Sequence, residues 1–77
     1  MRHMTNETKI QAQTIIDAIR LMATTYEKVT GTENDELDSI LYSVHVVMTS
    51  DGFDDAEILA TAFGCLQMAT MQMQNIL

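Results

Sequence analysis

Between Asn6 and Thr30 the apolar residues Ala12, Ile15, Ile19, Met22, Tyr26 and Val29 recur in alternating steps of three and four, and Ile16 and Ala23 widen the stripe. Steps of that size return a residue to the same side of a 3.6-residue turn, so the spacing predicts an amphipathic α-helix with one apolar face. Thr5 or Asn6 offers a side-chain oxygen to cap its start. Gly31 is placed to end it in the left-handed conformation. A second periodic run, Leu37, Ile40, Leu41, Val44, Val47 and Met48, predicts a helix from about Asp35 to Thr49 with Thr32 or Asn34 as cap. Val44, Val46 and Val47 lend it some strand character, because branched side chains lose rotamer freedom on a helix. The length of the periodic pattern and the acidic first turn favour helix.

The stretch DGFDDAEI, residues 51–58, carries a sharp local signal. Asp54 with Glu57 three residues later is an acidic variant of the capping box, and Phe53 with Ile58 occupies the two positions of a hydrophobic staple. A third helix therefore starts at Asp54 or Asp55. On a wheel of 100° per residue, Ile58, Leu59, Ala62, Phe63, Cys65, Leu66, Ala69, Met73, Ile76 and Leu77 form a broad core face. Nearly opposite lie Ala60, Gly64, Met68 and Met71, and no charged residue follows Glu57. A helix with two apolar strips has more to bury than one helical hairpin can cover.

Short links between three helices imply antiparallel neighbours. The expected fold is all-α: a small three-helix up-down-up bundle with a short middle helix, associating as a homodimer. The expected organisation is one helical domain over residues 1–77, with residues 1–5 a flexible leader and Met4 a candidate natural start. The outer helices should each run about 35 Å and the middle one about 22 Å, so an apolar stretch near one end should stay open. Ala56, Ala60 and Gly64, four apart, leave a smooth groove for another helix, and Met68 and Met71 can fill irregular gaps beside it. Ala60, Gly64, Met68 and Met71, with Met73, Ile76 and Leu77 near the open end, are the candidate association residues. A symmetric dimer is the commonest outcome of such a patch.

Seventy-seven residues lie near the lower limit at which one apolar core outweighs chain entropy unaided. With 47% hydrophobic residues and no proline, the chain is too structured for disorder. Three Gln, one Asn and two Thr between Ile58 and Leu77 make a membrane span a poor reading of the last helix. A single cysteine cannot build an internal disulfide, which suits a reducing compartment, the cytoplasm.

The net charge of −7 argues against nucleic-acid binding, which needs clustered Lys and Arg. Its distribution says more than its size. Arg2, Lys9, Arg20 and Lys28 are the basic residues. The acids beyond them fall in two clusters: Glu33, Asp35, Glu36 and Asp38, then Asp51, Asp54, Asp55 and Glu57. Both open helices, where the positive end of the dipole stabilises them. The up-down-up order brings Lys9 toward the second cluster and Lys28 toward the first, so the few basic residues should be used internally.

Candidate chemistry is thin. His45 has no second histidine or carboxylate at metal-ligand spacing. Cys65 stands off its level in the predicted bundle, which leaves no Cys–His dyad and makes Cys65 a small core residue. Asp51, Asp54, Asp55 and Glu57 lack the register of a calcium loop, and the three glycines stand too far apart for a phosphate loop. Gly64 inside a helix costs about 1 kcal/mol against alanine, which points to close packing or ligand approach there.

These features predict a protein that is not an enzyme and uses no cofactor or metal. The expected role is an inhibitor, adaptor or regulatory subunit that binds an unidentified protein through apolar helix faces, with Glu33, Asp35, Glu36 and Asp38 as an acidic rim. Small acidic accessory proteins of phages and bacteria share this general profile, by analogy alone. Two alternatives compete. One is an oligomer that sequesters a small ligand such as a nucleotide signal at its subunit interfaces, with Arg20 and Lys28 lining the pocket. The other is a DNA mimic, for which two end clusters of acids give no long phosphate-like rail.

Overall fold

The structure, a computed structural model, describes residues 4–76. Three helices follow one another, α1 (Asn6–Thr30), α2 (Asp35–Thr49) and α3 (Asp55–Met73), and the chain closes with a 3-10 turn at Gln74–Ile76. Each boundary has a local cause. Thr5 caps α1 by accepting from the Thr8 amide, Asn34 caps α2 by accepting from the Leu37 amide at 3.0 Å, and Asp54 caps α3. At α3 the box is complete: Asp54 Oδ1 accepts from the Glu57 amide at 2.8 Å, and the Asp54 amide donates to Glu57 Oε1 at 3.1 Å. Two of the backbone donors that open the helix are thereby satisfied reciprocally. Gly31 ends α1 at φ 77°, and its amide donates to the Glu27 carbonyl.

Two side-chain links fix the helix directions. Asp55 Oδ2 accepts from the Thr5 amide at 3.2 Å and from Thr8 Oγ1 at 3.1 Å, which ties the start of α1 to the start of α3. At the other end Asn34 Nδ2 donates to Gln72 Oε1 at 3.2 Å, which ties the start of α2 to the last turn of α3. Hence α1 and α3 run parallel, with α2 antiparallel to both. All three pairs of helices pack against one another. The electrostatic expectation fares differently. Lys28 forms no ion pair with Glu33, Asp35, Glu36 or Asp38; among the described residues the ion pair is Arg20 with Asp17, 3.7 Å apart on the surface of α1. Thr5 and Thr8 donate to Asp55 at one end and Asn34 donates to Gln72 at the other, and among the described residues neither Lys9 nor Lys28 forms an ion pair.

The core runs the length of the rod. Ile16, Ile19, Leu37, Val44 and Ile58 are its largest fully buried side chains, with Ala12, Ile15, Ile40, Ala62, Cys65 and Ala69 closing the gaps between helices. Phe53 packs against the cluster containing Ile58, as the staple requires. Met4 packs there too and Thr5 is a cap, so these two residues belong to the folded body, whereas the rest of the expected leader, residues 1–3, lies outside the described residues. Val29 departs from the predicted stripe: it sits in the last turn of α1, two residues before the terminating glycine, and is 63% exposed.

Candidate protein-interaction surface

The outer side of α3 is built by subtraction. Its inward positions, Ile58, Ala62, Cys65 and Ala69, are buried, and three of the four are small, which lets α3 sit close to both neighbours. Ala60, Gly64, Met68 and Met71 fall on the opposite side and are all exposed, Met68 by 51% and Met71 by 61%. A Cβ added at Gly64 would meet nothing within 4 Å. The close packing that this helical glycine suggested is therefore not made within the chain. The Asn34–Gln72 link sets Tyr42 level with Gly64 and Val46 level with Ala60 on the antiparallel α2, and both are outward-facing, Tyr42 by 70%. No charged residue interrupts α3 beyond Glu57.

The other candidate association residues divide. Met73 is half-buried and packs against the core, Ile76 is half-buried in the closing 3-10 turn, and Leu77 lies outside the described residues. The 3-10 turn tightens the chain after Met73, which draws this end inward.

Phe63 corrects the predicted core face of α3. It is 57% exposed. At 100° per residue it lies about 130° round from the centre of the buried set, beyond the flank that a two-neighbour helix can hide. The ring instead borders a shallow groove of about 240 Å³ between α1 and α3, lined also by Ile10, Gln11, Thr14 and Ile15. Ile10 and, about three turns along, Leu21 are 66% and 67% exposed on α1. The periodicity that defined the core stripe of α1 passed over both. A sequence signal for them exists: Ile10, Thr14, Ala18, Leu21 and Thr25 follow at steps of three and four and are uncharged, with Asp17 the one charge among them.

Glu33, Asp35, Glu36 and Asp38 are exposed at the start of α2, where Asp35, Glu36 and Asp38 occupy the first turn. One oxygen each from Glu33, Asp35 and Asp38 lies within 4.8 Å of the others. These are the described residues closest to a cation-binding arrangement, and the helix dipole already accounts for acids at that position. Beside them a second groove, about 200 Å³, runs between α1 and α2, with Glu27, Glu33 and Asp38 against the single cation Arg20. Lys28 does not line it.

His45 and Cys65 share no site: the imidazole is exposed, whereas the thiol is buried and free. Burial pushes the Cys65 thiol up from its ordinary value of 9.0, which suppresses the nucleophilic thiolate. No helix is long and apolar enough to cross a membrane among the described residues.

Set against known proteins, the chain matches no protein family, no curated protein and no solved structure at a significant level.

Proposed function

We infer that this chain is a non-enzymatic interaction module, an inhibitor, adaptor or regulatory subunit of the cytoplasm, which associates with itself and occupies a partner protein. One observation carries the reading: α3 leaves Ala60, Gly64, Met68 and Met71 exposed along a side with no charge after Glu57, and Gly64 has open space where a β-carbon would stand. A helical glycine that nothing inside the chain requires, flanked by flexible thioethers, suits a partner backbone that approaches closely. The acids Glu33, Asp35, Glu36 and Asp38 form a rim at one end of the same rod, where they steer the approach of a basic surface.

The same geometry weighs against sequestration of an anionic ligand within one subunit, because the groove that holds Arg20 is also lined by Glu27, Glu33 and Asp38. A photo-crosslinking residue at Met71 tests the reading in the cells of origin. The expected result is one discrete adduct with another protein, lost when Gly64→Glu is introduced into the same chain. Absence of any adduct, with the chain folded and abundant, removes the reading.

A further inference from the structure

The side of α1 that borders α3 carries a second stripe, distinct from the core stripe. Ile10, Thr14, Ala18, Leu21 and Thr25 follow one another at steps of three and four, with Glu7 ahead of them and Lys28 after them. All seven positions lie within about 80° of one another on the helix. Ile10 and Leu21 are about two-thirds exposed, and Phe63 of α3 stands beside Ile10 across the shared groove. Three large apolar side chains are thus left to water on one face. Asp17, about 20° round from Ile10 and level with Ala18, is engaged by Arg20 at 3.7 Å and by Gln13 Nε2 at 3.0 Å.

We propose that a second copy of this chain docks on this face, antiparallel, about a two-fold axis passing near Asp17 and Ala18. The proposal deepens the interaction-module reading by naming the surface and the occupant of its self-association. The argument is self-complementarity. Apart from Asp17, which pairs with Arg20 beside the axis, the stripe is charged at its two ends with opposite signs, Glu7 in the first turn of α1 and Lys28 in the last. An antiparallel copy sets Glu7 of each chain against Lys28 of the other, and the axis that does so also sets Leu21 of each against Thr14 of the other and Ile10 against Thr25. Bulky residues then face small ones, and Phe63 covers the groove from the flank, which is the isologous pattern of a symmetric dimer.

No basic partner is called for on this face, because the acidic cluster of Glu33 to Asp38 sits on the α2 side of the rod, beside the other groove. The area also has a consequence. A face about 32 Å long at helical rise and two helices wide, in a molecule 18 Å across, offers on the order of 600 Å² per copy, somewhat less than the ~800 Å² of a standard stable interface. The dimer should dissociate on dilution.

Sedimentation velocity from micromolar to near-millimolar concentration reads this directly, with far-UV circular dichroism melts to show that each variant is folded. Wild type should pass from monomer to dimer. Leu21→Glu, at an exposed position, should stay folded and monomeric, while Met68→Lys should dimerise as wild type does. Glu7→Lys and Lys28→Glu should each raise the dissociation constant about three- to tenfold, as expected for exposed pairs repeated twice by symmetry, and the double charge swap should restore it. A monomer at every concentration overturns the proposal and leaves partner capture by α3 untouched. A dimer that survives Leu21→Glu but not Met68→Lys moves the interface to the outer side of α3 and overturns it equally. A double swap no better than either single overturns the antiparallel pairing.

Discussion

Cys65 and Phe63 stand two residues apart on α3; the thiol is buried in the core and the ring is more than half exposed. The difference is one of angle, since two residues turn a helix by about 200° and carry a side chain from the core to the opposite flank. For Cys65 the consequence is a pH dependence. Its folded-state pKa is raised by burial, so the folded chain holds the proton that the unfolded chain gives up. The contribution to stability is fully present below the ordinary value of 9.0 and is lost as pH rises from there through the folded-state pKa. Denaturation midpoints should therefore fall above pH 9.0, and Cys65→Ala should flatten that decline. Native protein should also resist alkylation by iodoacetamide until it is unfolded. In the core, Ile16 and Leu37 are fully buried. Either one changed to alanine should cost about 2–5 kcal/mol, a large share of what so short a chain can hold, and should be visible as lost helicity at room temperature.

At the scale of the element, the helix ends were legible because capping is local. Thr5, Asn34 and Asp54 act on amides three residues away, so the sequence carries both partners of each bond. Asp54→Ala removes one half of a complete box and should lower stability by about 1 kcal/mol in a thermal melt. Gly64 makes the opposite prediction. With nothing near its missing β-carbon, Gly64→Ala should raise monomer stability by about 1 kcal/mol through helix propensity and still weaken partner capture, because the added methyl group holds the other backbone off. A melt and a crosslinking assay on one variant thus separate stability from binding. What helix periodicity could not show was how wide the buried arc of each helix is. Phe63, drawn into the core by a generous wheel, and Val29, drawn in by a regular stripe, are both more than half exposed.

The whole molecule is a rod of 42 × 18 × 15 Å with a radius of gyration of 13.1 Å, against about 11.5 Å for a compact domain of this length. Elongation is what leaves Ile10, Leu21, Tyr42, Phe63, Met68 and Met71 exposed, since a three-helix rod has three flanks and only one interior. Charge acts at the same scale. A net charge of −7 repels itself, while the ion pair of Arg20 with Asp17 is exposed and weak. Raising sodium chloride from near zero to physiological strength should therefore raise the melting temperature, because screening removes more repulsion than attraction. A fall in melting temperature would mean that attractive pairs outweigh the excess of acids.

Local chemistry determined the three helices and their caps, because each of these is written in residues a turn or less apart. Tertiary structure decided the rest. Which threonine meets Asp55, how far the core reaches round α3, and which apolar residues share a face all depend on the angle and register between helices. That angle and register are set by packing small residues such as Ala62 and Ala69 against distant side chains. Spacing within one helix does not record it, and the exposed faces of α1 and α3 came into view only once all three helices were in place.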